Sequence, residues 1–476
     1  MEVREYAAQD AVGLAALIRS GEVSAAEVAD AARRALDETA SLNAVVGEPF
    51  APLDHDPAGP LGGVPFGLKD LVPHAAGLPT QLGSRLLGEG LRPPADSNLM
   101  GRFRAAGLAT ICRTSTPEFG MCVTTEPVAT GATRNPWDTS RSSGGSSGGA
   151  AAIVAARALP IAHASDGGGS IRIPAAWCGV VGLKPSRGRM PTGPIVGEAL
   201  AGLPTELVCS RTVRDTAAAL DATHGPSVGE KYEIAGPARP YADEVGADPG
   251  RLRVAFTTEA WSGTAVDPAC VAAVERTVRA LADLGHAVEP GSPSVDSEAL
   301  SGANVAIWCA TTAQWVDVFS HVLRTPASEE TLERVTLAVV EHGRRVTASE
   351  YISATNDYNA ACRSVGAFFQ GVDVLVTPTM AGPALPLGAL DMNAAGVDAV
   401  AWTGRLFDEV APFTAVFNVT GQPAISLPLG WTDDGLPIGV QLVARFGDEA
   451  TLLRLAAQLE QALPWADRAP GVVAGA

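Results

Sequence analysis

The 476-residue sequence predicts an α/β fold, and three observations support that class. Short helical segments alternate with short apolar, strand-like segments, which is typical of layered α/β architectures. Apolar residues make up 46% of the chain and aromatic residues only 5%, so the core is built largely from Ala, Val and Leu. The length allows several domains, but large α/β enzymes often fold as one unit of this size with a large buried core.

The N-terminal half opens with two predicted helices. They lie in AVGLAALIRSGEVSAAEVADAARRAL, where Gly21 ends the first and a Ser24–Glu27 capping box begins the second. A strand follows in LGGVPFGLKDLV, and then a helix and a strand in NLMGRFRAAGLATICRTST. Next come a helix in AAAIVAARA and a strand in LPIAHASD that runs into GGGS.

The C-terminal half has weaker signals between about residues 225 and 330. There RLRVAFTTE predicts a strand and PACVAAVERTVRALADLGH an amphipathic helix. Residues 328–370 predict two more helices, followed by a strand in VDVLVTPT. PAISLPLGWTDDGLPIGVQLVA predicts a hairpin that turns at Asp434–Gly435, and DEATLLRLAAQLEQAL predicts a final amphipathic helix.

Charge and cysteine content exclude several classes of function. A net charge of −18 repels phosphate backbones, so we expect no nucleic-acid partner. The most apolar stretch, residues 150–164, is interrupted by Arg157 and Pro160, which argues against a membrane span. Seven cysteines without a CxxC pair predict neither disulfides nor a zinc site, and they fit a reducing, cytoplasmic location. No His, Cys and carboxylate cluster has ligand spacing, so we expect no metal and no organic cofactor.

Lysine is rare in this chain. Of 34 basic residues only Lys69, Lys184 and Lys231 are lysines, and the others are arginines. A buried lysine can lose its proton at working pH, whereas arginine cannot. Each lysine is therefore a candidate base, although chance retention explains any one of them equally well.

The Gly/Ser-rich stretch RSSGGSSGGAAA, residues 141–152, admits several interpretations. A flexible linker would split an α/β alternation that continues on both sides. Phosphate-binding loops need a Lys after the last Gly, or a preceding strand and a later acid, and the stretch fits neither pattern well. Residues 144–148 do match the G-x-S-x-G nucleophile elbow, but nothing around the available histidines suggests its acid and histidine partners. We expect His163 to be structural.

Four longer stretches belong together: GGVPFGLKD, RSSGGSSGGAAAIVAA, SDGGGSIRIPAAWCGVVGLKPSRGR and NVTGQPAISLPLG. In their sequence, order and spacing they resemble the amidase signature hydrolases. VTTEPVATGATRNPWD, FNVTGQPAISLP and QLEQALPW further resemble its 6-aminohexanoate-cyclic-dimer hydrolase branch, which acts on nylon oligomers. The resemblance implies the amidase signature fold, with a large mixed sheet covered on both faces by helices. It implies one domain over residues 1–476, with a signature core at about 60–215, a variable pocket region at about 225–410 and a C-terminal part of the core at about 411–465.

The resemblance also implies a Ser-cisSer-Lys triad that hydrolyses a carbon–nitrogen bond through an acyl-enzyme. Ser170 matches the nucleophile, Ser146 the bridging serine and Lys69 the base, with a cis peptide bond before Ser146. Independently of the family, a serine needs a base, and burial among apolar neighbours can lower a lysine pKa enough to provide one. Lys184 is the rival base, and the family match gives it a scaffold role.

Further site residues follow from the same comparison. Gly167, Gly168 and Gly169 are candidates for an oxyanion hole, because glycines let backbone amides approach a substrate closely. Gly167 departs from the family, which usually has threonine there. The set Met121, Cys122 and Cys309 falls where the nylon-oligomer branch shapes its acyl pocket, although core packing explains these residues equally well.

Three other residues near Ser170 receive structural predictions. Asp166 and Arg172 flank the nucleophile and are expected to pair and hold its loop. Cys178 is expected to be a small buried hydrophobe rather than a nucleophile.

The leading hypothesis is a serine amidase acting on uncharged, small linear or cyclic amides. An esterase or carbamate hydrolase with the same triad stays open, because it shares the attack and oxyanion steps. An amidase-type subunit of a tRNA-dependent amidotransferase and an inactive binding module are further alternatives. We expect the chain to bind a small-molecule amide and not to associate with a membrane. The resemblance is compatible with a homodimer.

Overall fold

The computed structural model describes residues 1–72, 74–194 and 196–476, and within them a ten-stranded mixed sheet forms the centre of the fold. The strands are β1 (Val64–Lys69), β2 (Leu108–Thr114), β3 (Ile161–Asp166), β4 (Val181–Lys184), β5 (Thr205–Ser210), β6 (Arg253–Phe256), β7 (Ala287–Pro290), β8 (Val374–Pro378), β9 (Ala424–Trp431) and β10 (Pro437–Ala444). Their spatial order is β2-β1-β3-β5-β4-β9-β10-β8-β6-β7. Parallel pairs lie at both ends of the sheet, and the central pairs are antiparallel.

Helices flank this sheet. They are α1 (Val3–Ala8), α2 (Ala11–Ser20), α3 (Ala25–Glu38), α4 (Asn98–Ala105), α5 (Gly148–Ala155), α6 (Arg172–Cys178), α7 (Val213–Thr223), α8 (Pro268–Asp283), α9 (Ser297–Leu323), α10 (Arg334–Gly343), α11 (Ala348–Phe368), α12 (Ala399–Gly404), α13 (Ala415–Thr420) and α14 (Glu449–Ala462). A π-helical turn, Arg405–Val410, directly follows α12. None of the helices in the described part of the chain has the length and apolar character needed to cross a membrane.

Several local predictions are confirmed. Gly21 ends α2 in the left-handed conformation, and the Ser24–Glu27 capping box begins α3. Strands β9 and β10 form the predicted antiparallel hairpin around Gly435, whose φ is +89°. All seven cysteines are described, and each is a free thiol.

The buried apolar side chains form two clusters. The first cluster packs strands from nearly the whole sheet against α2, α3, α5, α7, α8 and α14. The second cluster packs the long helix α9 against α10, α11 and α12. Met121, Cys122 and Ile173 belong to the second cluster, which therefore reaches the region of the nucleophile candidate.

Strand connectivity places the candidate site. Strands β1 and β3 are parallel neighbours, with Phe66 opposite Ile161 and Gly67 opposite Ala162. Their carboxyl ends therefore lie at the same edge of the sheet. Lys69 ends β1, and the GGGS segment follows β3, so residues a hundred positions apart in sequence meet there.

Candidate active site

Lys69 lies at the centre of the site, with its side chain 1% exposed. Its Nζ atom lies 2.8 Å from Ser146 Oγ, 2.8 Å from Ser147 Oγ and 3.0 Å from Ser165 Oγ. Burial lowers the pKa of Lys69 to about 7, although the nearby carboxylates of Glu206 and Asp166 oppose this shift. At neutral pH a substantial fraction of this amine is therefore uncharged and able to accept a proton.

The three serine contacts are not equivalent. The Ser147 hydroxyl donates to the Ser165 carbonyl at 3.2 Å, so toward Lys69 it acts as an acceptor. A neutral amine has two N–H donors and one lone pair. The hydroxyls of Ser146 and Ser165 donate to no other acceptor in the described residues, so either one can donate to the lone pair of the neutral amine.

Two histidines and one carboxylate form a group next to Lys69. The backbone N–H of Lys69 donates to His163 Nδ1 at 3.4 Å, and Glu206 Oε1 lies 3.3 Å from His74 Nε2. The three side chains of His74, His163 and Glu206 bring one potential ligand atom each within 4.8 Å of one another. Since Nδ1 of His163 accepts a hydrogen bond, neutral His163 carries its proton on Nε2, the atom that would have to bind a metal. This arrangement favours a hydrogen-bonded support for Lys69 over a metal site.

Ser146 and Ser170 lie on two loops that touch. The Gly145–Ser146 peptide bond is cis, and the next residue, Ser147, donates its backbone N–H to the Ser170 carbonyl at 3.3 Å. Ser146 is buried, whereas Ser170 is half-buried and faces a cavity. Among the described residues no hydrogen bond joins the two hydroxyls, so the structure brings the serine loops together without linking Ser146 Oγ to Ser170 Oγ.

A buried ion pair holds the loop that carries Ser170. Arg172 binds Asp166 through two parallel hydrogen bonds of 2.9 Å, and both side chains are fully buried. Arg172 also donates to the Thr414 carbonyl, to Gln441 Oε1 and to Asn418 Oδ1. Although burial opposes ionisation, the Arg172 guanidinium holds the pKa of Asp166 well below its usual value. The predicted pairing of these two residues is present, and it ties the loop to the C-terminal part of the chain.

The glycines before Ser170 present free donors. The backbone N–H groups of Gly167, Gly168, Gly169 and Ser170 donate to no acceptor in the described part of the chain. Gly169 has a φ of +140°, and a Cβ added there would lie 2.6 Å from Ile173 Cδ1. A Cβ at Gly167 would meet its nearest neighbour at 3.4 Å, an ordinary contact. The segment thus needs glycine at position 169 but has room for a side chain at 167.

An apolar cavity opens beside Ser170 and Gly168. Its apolar walls are Val123, Ile173, Trp308, Trp402, Leu406 and Phe407. Met121 and Cys122 also line it, and burial raises the pKa of the Cys122 thiol to about 12, which keeps it neutral. This lining suits an apolar group of a small molecule.

Cys309 differs from the prediction that it lines the same pocket. Its side chain is fully buried, and it is not among the lining residues described for this cavity. Its carbonyl packs so closely against Gly343 that a Cβ there would lie 1.9 Å away, so Cys309 sits at the contact of α9 with α10. The preceding residue, Trp308, faces the cavity instead, because successive helical positions differ by about 100° around the axis.

Lys184, the rival base, is also buried, and burial lowers its pKa to about 7. Its Nζ donates to the carbonyl of Pro185 at 2.9 Å, and no serine hydroxyl in the described residues lies within hydrogen-bond distance of it. Lys231 is exposed and forms a salt bridge with Glu198. Of the three lysines, Lys69 is the one that the structure surrounds with serines.

Sequence analysis missed several residues of the site. Ser147 and Ser165 contact Lys69, and Gly120, with a φ of +70°, approaches Ser146 so closely that a Cβ would lie 3.3 Å from its Oγ. Trp308 and Phe407 come from distant segments with no motif to mark them. Only Ser147 had a usable signal, because it is the second serine of the GGSSGG repeat.

Comparison with known proteins supports the same assignment of family. The amidase family model matches residues 22–453. A 6-aminohexanoate-cyclic-dimer hydrolase from Paenarthrobacter ureafaciens is 39% identical over 475 residues, which cover 97% of this chain and 96% of that protein. The hydrolase of the same name from a Pseudomonas species is 39% identical over 480 residues, again with 97% and 96% coverage.

Solved structures agree with this result. The structure of a 6-aminohexanoate cyclic dimer hydrolase superposes with a TM-score of 0.92 at 39% identity, covering 98% of this chain and 99% of that one. The mixed sheet with flanking helices is therefore the fold of the amidase signature enzymes. The matches extend over almost the whole chain rather than over the glycine-rich motifs alone. From its sequence and its fold, this chain belongs to the amidase signature family of hydrolases, which act on amide bonds.

Proposed function

We propose that the chain hydrolyses small linear or cyclic amides through an acyl-enzyme on Ser170, with Ser146 as the bridging serine and Lys69 as the base. The observation that carries this proposal is the buried Lys69 amine, 2.8 Å from Ser146 Oγ and beside the loop of Ser170. A lysine in this environment can be uncharged near neutral pH, which is the state that a general base requires.

In the proposed mechanism, Ser170 Oγ attacks the amide carbonyl carbon while its proton passes to Ser146, whose own proton passes to the Lys69 amine. The substrate carbonyl becomes an oxyanion, and the free N–H groups of the Gly167–Gly169 segment stabilise it. The tetrahedral intermediate then expels the amine, which takes a proton returned through Ser146. Water attacks the resulting ester by the same proton route and releases the carboxylic acid, restoring Ser170.

The apolar cavity and the relatives suggest the substrate class. The cavity offers mostly aliphatic and aromatic surface to the group bound beside Ser170. Relatives at 39% identity are named hydrolases of the 6-aminohexanoate cyclic dimer, a cyclic amide with aliphatic chains. We therefore propose aliphatic amides of this kind, including cyclic dimers, as the substrates to be tried first.

The test combines active-site labelling with turnover. A fluorophosphonate probe should label the wild-type protein but not Ser170→Ala. Hydrolysis of 6-aminohexanoate cyclic dimer and of the anilide of a simple aliphatic acid should be lost in Ser170→Ala and in Lys69→Ala. Lys184→Ala is the matched control, because it removes a second buried lysine while leaving the proposed triad intact.

Turnover by Ser170→Ala would overturn the proposed nucleophile, and full activity in Lys69→Ala would overturn the proposed base. Anilide, ester and carbamate substrates with the same acyl group should be compared in the same assay. A rate on the ester or carbamate far above that on the amide would replace the amidase proposal by an esterase or urethanase with the same residues.

A further inference from the structure

A second, small cavity lies next to the one beside Ser170. The ring of Phe407 lines both cavities and packs on the backbone of Gly168, where an added Cβ would lie 2.6 Å from Phe407 Cε1. One aromatic ring therefore separates the second cavity from the oxyanion segment. Neither the proposed triad nor the proposed acyl pocket uses this space.

Asp408 gives the second cavity an unbalanced charge. Its Oδ2 accepts a hydrogen bond from Ser301 at 2.6 Å, while Oδ1 has no donor in the described part of the chain. No Lys, Arg or His of the described residues lies within 4.0 Å of this half-buried carboxylate, and burial raises the pKa of Asp408. Because Asp408 is half-buried and its Oδ1 has no partner in the described residues, a cation that enters the cavity can pair with this oxygen.

Two neighbours complete a binding site around this carboxylate. The Asn304 side chain is 3% exposed, and its Oδ1 accepts a hydrogen bond from Tyr358, while its amide Nδ2 has no acceptor among the described residues. The Trp261 indole N–H is occupied by Ser292 and Pro293, which leaves the ring as aromatic surface in the cavity wall. An aromatic ring beside a carboxylate is a favourable environment for an organic ammonium group.

We propose that the second cavity is a subsite for a primary ammonium group at the end of a linear amide substrate, with Asp408 as its counterion. This inference rests on the proposed function and deepens it, because it adds amino-terminated linear amides to the neutral substrates. The apolar part of the chain would pass Phe407, and the terminal –NH₃⁺ would donate to Asp408 Oδ1. Asn304 Nδ2 is then free to donate to a second carbonyl of the substrate.

The test uses pairs of linear substrates of equal length, one ending in –NH₃⁺ and the other in –CH₃. One pair carries the terminal group on the acyl chain and a second pair carries it on the leaving amine. In at least one pair we expect wild type to favour the ammonium substrate by about tenfold or more in kcat/KM, as for a charge-assisted hydrogen bond. Asp408→Asn should remove this preference and leave kcat/KM for the methyl-terminated substrate unchanged.

Glu409→Gln is the matched control, because it removes the same charge from the exposed neighbouring residue and should keep the preference. Binding provides a second measurement that does not depend on turnover. Hexylammonium should bind to Ser170→Ala in calorimetry and bind at least about tenfold more weakly when Asp408→Asn is added.

The outcomes separate the two proposals. Hydrolysis of the methyl-terminated substrates, with a preference that Asp408→Asn does not change, overturns the subsite and leaves the proposed function intact. Absence of hydrolysis of every pair contradicts the proposed function, and the calorimetry then decides the subsite by itself. Equal binding of hexylammonium with and without Asp408→Asn overturns the subsite.

Discussion

At Lys69, burial and the nearby carboxylates act on the charge in opposite directions. Burial favours the neutral amine, while the carboxylates of Glu206 and Asp166 favour the ammonium ion, and the balance puts the pKa at about 7. A proton acceptor works best when its pKa lies near the working pH. Lys69 can therefore both accept and return a proton near neutral pH, and the proposed proton route needs no histidine.

The pKa of Lys69 predicts the pH dependence of activity. Because the proposed base must be neutral, kcat/KM should be constant well above pH 7 and fall by about tenfold per pH unit below it. A pH profile of kcat/KM with an uncharged anilide would show this acidic limb. A profile that stays flat down to pH 5 would contradict the assignment of Lys69 as the base.

Glu206 provides the control for this profile. Its carboxylate raises the pKa of Lys69, so Glu206→Gln should move the acidic limb to lower pH. Glu289→Gln, at an exposed position on the edge strand β7, removes the same charge and should leave the limb in place. A purely structural role of Glu206 would change stability or rate without moving the limb.

Two of the three lysines show why a residue count alone could not identify the base. Lys69 and Lys184 are both buried with a pKa of about 7, and they differ in what their amines contact. The motif around Lys69 pointed to the lysine whose amine contacts the serine hydroxyls. The contacts of Ser147 and Ser165 depend on the packing of β3 beside β1, and no local pattern of residues records that packing.

At the scale of elements, the Gly-rich segment between β3 and α6 combines two different requirements. Gly169 has a conformation that side chains rarely adopt and no room for a Cβ, whereas Gly167 has room. Gly169 is needed for the backbone conformation that presents the free amide groups. Gly167 leaves a space beside Trp308 that a larger residue would occupy.

Alanine substitutions should separate these two roles. Gly169→Ala should lower kcat by at least about 100-fold, the loss typical of a displaced oxyanion donor. Gly167→Ala should fold normally and retain most of its activity, because its Cβ makes only ordinary contacts. Steady-state kinetics together with thermal melting would measure both variants. Equal losses in the two variants would refute this division of roles.

Helix α9 marks the limit of prediction at this scale. Its 27 residues were not predicted, because apolar and polar side chains surround it without a clear stripe and its neighbours bury more than one face. Strands β4 and β5 were missed as well, since β4 has only four residues and β5, TELVCS, contains few apolar residues. The hairpin β9–β10 was predicted because its turn chemistry is local.

At the scale of the whole molecule, the predicted α/β class and mixed sheet are confirmed. The mixed sheet was inferred from resemblance alone and its strand order was not predicted, since residues that pair across the sheet lie far apart in sequence. The predicted division into a signature core and a variable region stays a prediction, as do the homodimer and the cytoplasmic location.

The Asp166–Arg172 pair predicts a large stability effect from one substitution. Arg172→Met leaves a buried carboxylate without its counterion, which should lower the free energy of unfolding by about 3–5 kcal/mol. Arg344→Met, which removes an exposed partner of Asp317, should cost at most about 1 kcal/mol. Urea unfolding would measure both variants. A cost for Arg172→Met no larger than that for Arg344→Met would contradict the structural role of the buried pair.

The partners of Arg172 also determine when a chain that is still being synthesised can become active. All three residues of the proposed triad have left the ribosome once the first two hundred or so positions are made, yet Thr414, Asn418 and Gln441 are still untranslated. Strand β4 likewise cannot pair with β9 until β9 has been synthesised. A polypeptide stalled in mid-synthesis would carry every reactive group and still lack the scaffold that orients them, so hydrolysis should begin only after β9 and Gln441 have been synthesised.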